Sequence, residues 1–493
     1  MSLPTTPSAI LYAPTDIRIE DRPIWAPSPT SVQIAVAATG LCGSDLHYYS
    51  AGRNGDFAVR APLVLGHEAA GTIVALGSSV NSPGVNASDD SQLRVGMRVA
   101  IEAGVYCRNE LGDCEYCAVG RYNLCKKMRF ASSASRFPHL DGTLTGRMNH
   151  PAFVVHPLPD NVSFEQAALA EPLSVLIHAS RRCGLSTWRA SHPSYAFTSP
   201  GTVEPTVASS SGSGSGLCRP HPYPAPIPLS SSPSPSSSNN NTTQTHPKGP
   251  TVLVFGVGAI GLLACLLAKY HGASRVCAVD INEKRLEWAR REGFCDEVFC
   301  VPSSDKERQQ QGDGCCAAPP SVSASATPKP QTQAQPSSTD PMKASQQLSS
   351  SILSSFSPPT STTSPFLGFS YTFECTGHPS SIASSILCTA PGGKVCLIGM
   401  GARNMMMPVS QAATREVDLV GVFRYAGCYG DALRVLGSAE VVGLAGTVGE
   451  MVLKLVTHRF GLEDTKKAFE LLRKGEDEDG GLVLKVMIGS GEA

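Results

Sequence analysis

The sequence has almost no net charge: 40 Lys and Arg stand against 41 Asp and Glu, and charged residues are only 16% of the chain. Such a balance argues against a basic nucleic-acid binder or a polyanion-seeking surface. A membrane-spanning run is missing too. The longest apolar stretch, residues 252–268, falls short of the roughly 20 residues a spanning helix needs, and glycines interrupt its first half. Nor do the first seven residues carry a basic segment followed by an apolar one, so no secretory signal is expected and the setting read from the sequence is cytoplasmic. Cysteine, by contrast, is plentiful. Seventeen of them in a reducing compartment point to metal ligands rather than to a disulfide framework.

What dilutes the charge is serine and proline. Between Ser191 and Pro250 nearly half of the side chains are Ser or Pro, and only Glu204, Arg219 and Lys248 are charged. That composition offers too little apolar surface to offset the entropy of ordering the backbone, which predicts a disordered insertion over 186–250. A second tract, 302–365, with a glutamine triplet at 309–311 and repeated Ser-Ser, predicts the same, with a brief helix possible over 349–356. The remainder of the chain has two textures. Residues 1–185 carry short β-type runs such as 31–36 and 71–76 between turn residues, predicting a compact β-rich domain. Residues 251–300 read strand, Gly-rich turn, helix, strand, helix, strand, with further strands expected at 371–374, 394–398 and 418–422. That alternation predicts an α/β unit, a parallel sheet flanked by helices.

The apolar run 251–255 leads directly into Gly256-Val257-Gly258-Ala259-Ile260-Gly261 and then an apolar helix. A lone GxGxxG says little, but between a strand and a helix it has the context that dinucleotide binding requires. Gly256 permits the tight turn, Gly258 the approach of the pyrophosphate, and Gly261 close helix–strand packing, with the helix N-terminus facing the phosphates. Asp280 ends the next strand, at the spacing of about 20 residues from the glycines where dinucleotide-binding units carry an acid. A carboxylate there accepts hydrogen bonds from the adenosine ribose and repels a 2′-phosphate, which favours NAD over NADP even with Arg285 nearby.

Two groups of residues have the chemistry of metal ligands. Cys42, His67 and Glu68 offer a thiolate, an imidazole and a carboxylate from separate segments, which suits a catalytic zinc with an open position. Glu171 supplies a further carboxylate. Cys107, Cys114, Cys117 and Cys125 crowd into one short stretch, with glycines at 112 and 120 that let the loop fold back, and suggest a closed tetrathiolate zinc.

Taken together, these residues resemble the zinc-dependent medium-chain dehydrogenase/reductase superfamily, in its polyol (sorbitol or xylitol) dehydrogenase branch. The likeness is carried by Gly66-His67-Glu68 with Gly71, Gly77 and Val80, by Cys42-Gly43-Ser44-Asp45-Leu46-His47-Tyr48-Tyr49, and by Glu171-Pro172-Leu173-Ser174-Val175. Phe373-Glu374-Cys375-Thr376-Gly377, Arg415-Glu416-Val417-Asp418, Phe423-Arg424-Tyr425 and Val456-Thr457-His458-Arg459-Phe460 extend it. The resemblance implies a GroES-like catalytic domain over 1–185, completed by about 425–493, and a Rossmann domain over 251–424 that the second tract interrupts. It implies a catalytic zinc on Cys42, His67 and either Glu68 or Glu171, and a proton relay through Ser44 and His47. It sets Tyr48, Phe130, Glu171, Arg424 and Tyr425 around the substrate. Ile260, Asp280, Arg285, Ile398, Gly399, Met400, Val422, Phe423 and Arg424 match cofactor-lining positions.

The expected activity is zinc- and NAD-dependent oxidation of a small-molecule polyol to its ketose by a homo-oligomer with no nucleic-acid or membrane partner. Dehydrogenation of simpler alcohols and a non-catalytic, metal-stabilised scaffold are the alternatives. Three departures accompany the likeness. Six residues rather than two separate Cys107 from Cys114; Ala426-Gly427-Cys428-Tyr429 follows Tyr425; and the second tract stands where a crossover helix belongs, predicting a missing or degraded helix.

Overall fold

Residues 251–255 read Thr-Val-Leu-Val-Phe, β-branched or apolar throughout, and such a run is comfortable as a strand only where both faces are covered. The structure, a computed structural model, describes residues 3–83, 85, 92–187, 249–302, 341–357, 366–401, 404–439 and 443–489. In it, Thr251–Phe255 pairs in parallel with Arg275–Asp280 on one side and Phe369–Glu374 on the other. The whole sheet runs Glu297–Cys300, Arg275–Asp280, Thr251–Phe255, Phe369–Glu374, Thr389–Leu397, Asp418–Gly421, with every pair parallel. By chain order these are the third, second, first, fourth, fifth and sixth strands, the doubly wound order that opens a crevice where its direction reverses.

The pleat divides the strand residues between two cores. Val252, Val254, Val276 and Ala278 face the helix Ala259–Tyr270, while Leu253, Phe255, Cys277 and Val279 face the opposite side. On that opposite side lies a 16-residue helix, Pro341–Phe356. It corrects two expectations for the second tract: part of the tract is ordered, and the crossover helix is present. Leu348, Ile352 and Phe356, spaced four apart, bury one stripe against the sheet. The serines that disguise the helix return their hydroxyls to carbonyls four residues back, as Ser349 does to Ser345 O at 2.7 Å and Ser350 to Gln346 O at 2.9 Å. The expected brief helix at 349–356 is its second half. Residues 188–248, nearly all of the first tract, lie outside the described residues, as do 303–340 and 358–365.

The β-rich unit is a mostly antiparallel sheet ordered Val155–Pro157, Arg98–Ile101, Glu68–Leu76, Ser31–Gly40, Lys485–Gly489, Val456–Gly461, with Arg147–Pro151 also on Ser31–Gly40. Its last two strands come from the far end of the chain, and Lys485–Gly489 pairs antiparallel with Ser31–Gly40. The helix Ala170–Cys183 joins the two units. Its first turn is buried beside the β-rich sheet, and its body packs on Ala259–Tyr270.

Candidate active site and metal centres

The glycine turn has the properties its sequence asks for. Gly256 sits at φ +86°, a Cβ on Gly258 would meet open space, and one on Gly261 would overlap the carbonyl of Gly256. The turn is braced from the next strand: Asp280 Oδ2 accepts from Val257 N at 2.7 Å and its Oδ1 from Asn282 N at 2.8 Å. Beside it opens a cavity of about 720 Å³ lined by Gly256, Gly258, Asp280, Arg285, Thr376 and His378, among others. Among the described residues Arg285 Nε and His378 Nε2 are buried without a hydrogen-bond partner, so two polar atoms on this wall can pair with a ligand. Size, glycine turn and orphaned atoms all fit a dinucleotide.

A second cavity, about 210 Å³, lies between the two domains. The sheet register builds its floor. Gly40 pairs with Glu68, which brings Cys42 beside His67 and Glu68, and a Cβ on Gly40 would overlap the Glu68 carboxylate. One donor atom from each of Cys42, His67 and Glu68 lies within 4.8 Å of the others, a donor set that fits zinc. Glu171 lines the same cavity but stands outside that cluster.

The partners of these donors were not singled out from the sequence. Asp45, fully buried one turn into the helix Gly43–Ala51, lies 3.3 Å from His67 Nδ1 and accepts from Ser132 Oγ at 2.9 Å and Gly66 N at 3.3 Å. Burial alone would push its carboxyl up, but His67 and these donors outweigh that and hold it below the ordinary range. A carboxylate behind a ligand imidazole orients the ring, so Nε2 is left for the cavity. Lys485, also buried, sets Nζ 2.8 Å from both oxygens of Glu68 and 3.1 Å from Leu41 O.

The other predicted residues divide clearly. Ser44 lines the cavity with its Oγ 3.5 Å from His67 Nε2, whereas His47 is exposed and does not line it. Tyr48 and Phe130 are buried in the wall, and the Tyr48 hydroxyl accepts from Ala134 N at 3.1 Å. Burial pushes the Glu171 carboxyl up to about 7. Arg424, in the left-handed region at φ +52°, lays its guanidinium 4.0 Å above the Phe130 ring and donates to Ser133 Oγ at 3.4 Å. Tyr425 lies behind that wall, buried between the rings of Phe130 and Tyr429. Ile260, Ile398, Met400, Val422 and Phe423 enter from the dinucleotide domain. Gly399 stands apart from the lining, where a Cβ would overlap the backbone of Gly377.

The four cysteines of the lobe also converge. Sγ–Sγ separations are 3.6 Å for Cys107–Cys117, 3.6 Å for Cys107–Cys125 and 3.8 Å for Cys114–Cys125. Zinc–sulfur bonds of about 2.3 Å in a tetrahedron require sulfurs about 3.8 Å apart, far beyond the roughly 2.05 Å of a disulfide. The long spacer loops out: Arg108, Asn109 and Gly112 all have positive φ, and Asn109 Oδ1 accepts from Cys114 N at 2.9 Å. Cys107 thus stays in the set. A backbone hydrogen bond from Cys117 holds the Cys114 thiol down at about 7, whereas burial pushes the thiols of Cys107 and Cys117 up.

Comparison with known proteins agrees with this geometry. Residues 28–160 match the alcohol dehydrogenase GroES-like domain family, and residues 363–438 match the zinc-binding dehydrogenase family. The chain is 32% identical over 485 residues to a Bos taurus sorbitol dehydrogenase, covering 98% of this chain and 96% of that protein. For the Homo sapiens sorbitol dehydrogenase the identity is 31% at the same coverage. Among solved structures, L-idonate 5-dehydrogenase of Escherichia coli shares the fold with a TM-score of 0.62, at 22% identity and 98% coverage of both chains. The paired metal-donor clusters, the doubly wound sheet and these relatives together make the chain a member of the zinc-dependent medium-chain dehydrogenase/reductase superfamily, in its polyol dehydrogenase branch.

Proposed function

We propose that the protein oxidises a sugar alcohol such as sorbitol or xylitol to its ketose and passes the hydride to NAD. The observation that carries this reading is the composition of the smaller cavity. Three metal donors share it with the carboxyl of Glu171, the guanidinium of Arg424 and the hydroxyls of Ser44 and Ser133, while Ile260, Ile398 and Val422 reach in from the dinucleotide side. The relatives named sorbitol dehydrogenases support the same substrate class.

Cys42, His67 and Glu68 would hold the zinc and the glycine turn the dinucleotide; when bound, the metal supplies a Lewis acid and the nicotinamide a hydride acceptor. Everything else rests on side chains of this protein. Asp45 and Ser132 keep the His67 ring oriented. Ser44, 3.5 Å from His67 Nε2, takes the substrate's hydroxyl proton. His47, three residues on and hence on the same side of the helix, passes it to water. Glu171, poised near 7, donates to or accepts from a neighbouring hydroxyl. Arg424 donates to another. A polyol satisfies both groups, whereas a simple alcohol leaves buried polar atoms unpaired, which is costly.

Asp280 supports the choice of NAD, because its carboxylate suits ribose hydroxyls and repels a 2′-phosphate. The reading includes a homo-oligomer in the cytoplasm. Among the described residues Asp418–Gly421 is an outer strand of the parallel sheet, with one edge free for a second copy. The ligand-spaced thiols of the cysteine lobe suit a reducing compartment. A panel of polyols and primary alcohols, followed by NADH formation with and without a zinc chelator, tests the proposal. Fast, chelator-sensitive oxidation of sorbitol or xylitol is expected. Equal rates on primary alcohols would favour the simpler-alcohol reading, and cofactor binding without turnover a scaffold.

A further inference from the structure

The larger cavity is not built by the dinucleotide domain alone. Lys474, Gly475 and Glu476, at the end of the helix Thr465–Lys474 of the other domain, line it together with Asp280, Lys284 and Arg285. Gly475 closes that helix at φ +75°, its N–H bonded to Leu471 O at 3.1 Å. The chain then turns back, with Val483 N donating to Gly475 O at 3.1 Å and Asp477 N to Gly481 O at 2.9 Å. The Asp477 carboxylate fastens the turn, accepting from Asp479 N at 3.0 Å and Gly481 N at 2.6 Å. This ordered turn sets Glu476 Oε1 3.1 Å from Lys284 Nζ, across the domain boundary. Arg285 lies alongside, where a Cβ on Gly475 would come within 3.6 Å of its Nη2.

Charge around the adenosine ribose decides which dinucleotide is accepted: a carboxylate suits free hydroxyls, and cations suit a 2′-phosphate. Lys284 and Arg285 follow Asp280 closely and, unopposed, would offset its repulsion of phosphate. Lys474 adds a third positive charge on the same rim. Glu476 opposes them, and the C-terminal end of a helix contributes partial negative charge at the same place. Resting on the NAD reading above, we propose that Glu476 is a cofactor-specificity residue: it holds Lys284 away from a 2′-phosphate, so that Asp280 and a residue of the catalytic domain exclude NADP together.

The test is binding of NADH and NADPH, followed by nicotinamide fluorescence, to the zinc-replete wild type, Glu476→Gln, Lys284→Gln and the double variant. Glu476→Gln should tighten NADPH relative to NADH by about three- to fivefold, the scale of an exposed ion pair. The gain should shrink at high salt and vanish in the double variant. Glu476→Ala repeats the test should the Gln variant melt early. An unchanged NADPH-to-NADH ratio in both Glu476 variants, or a gain that survives loss of Lys284, overturns the inference and leaves the NAD reading intact. A wild type that binds NADPH as tightly as NADH overturns that reading and the inference with it.

Discussion

Asn123 Nδ2 donates a 2.8 Å hydrogen bond to the carbonyl of Phe423, 300 residues further along the chain. Four residues beyond Phe423, Gly427 N donates to the Tyr122 hydroxyl at 2.7 Å, and that hydroxyl donates to Glu102 Oε1 at 2.7 Å. Between these two ties lies Arg424 in its left-handed conformation, an unfavourable backbone for a long side chain. The cysteine lobe therefore grips the segment that presents the guanidinium to the smaller cavity.

Removing one tie should loosen that presentation without touching the cofactor. Asn123→Ala is expected to raise KM for the polyol about fivefold, the effect of one net hydrogen bond of about 1 kcal/mol, while NADH affinity stays unchanged. Steady-state kinetics beside a cofactor titration would decide it; a loss of NADH affinity of the same size would argue against a local effect.

Lys485 neutralises a carboxylate that is fully buried. Lys485→Met should destabilise the protein by about 3–5 kcal/mol, because Glu68 is then left buried and unpaired. Urea unfolding of the metal-free protein reads this directly. Adding Glu68→Gln to the same chain should recover part of the loss, and no recovery would mean that the lysine acts through packing alone.

The cysteine lobe should behave as a closed metal site, separate from the catalytic one. Cys107→Ser is expected to lower bound zinc from about two ions per chain to about one, with a lower melting temperature. Elemental analysis of the purified variant tests this. Two ions retained would remove Cys107 from the ligand set despite its 3.6 Å contacts with Cys117 and Cys125.

Two buried histidines should each withdraw stability as the pH falls. Burial pushes both His150 and His178 down to about 4, against an ordinary value of 6.5. The unfolded chain therefore binds protons first as pH drops. Their contribution is complete above about 6.5 and is lost as pH falls toward about 4, at no more than about 1.4 kcal/mol per pH unit for each. Glu171, held near 7, works in the opposite sense over the same range, so the readout is a difference: between pH 7.5 and 5 the urea midpoint of His150→Gln should shift less in the destabilising direction than that of the wild type, and identical profiles would contradict the assignment.

What the sequence made legible was local. Thr251–Phe255, the glycine turn and Asp280 follow one another closely along the chain, and each declares its conformation through its immediate neighbours. Cys42 and His67 were readable because few other residue types can bind zinc. Asp45 and Lys485 were not, since a buried Asp or Lys reveals its partner only after the sheet has set its register, and Lys485 stands 417 residues from Glu68. The helix Pro341–Phe356 was hidden for a different reason: its buried apolar stripe rests on Leu348, Ile352 and Phe356 in a serine-rich background, and composition outweighed period. His47 was named from its place three residues after Ser44, and its exposure on the helix suits only the solvent end of such a relay.

The pairing of Lys485–Gly489 with Ser31–Gly40 has a consequence for how the molecule is made. On the ribosome, Glu68 emerges 417 residues before Lys485, the cation that neutralises it. At about 5–20 residues per second, that delay is tens of seconds. The cysteine lobe and much of the parallel sheet, whose strands lie closer in sequence, can organise during translation. The catalytic pocket can close only after Lys485 and its strand have emerged, so the nascent chain is spared an active oxidoreductase centre until that late strand is in place.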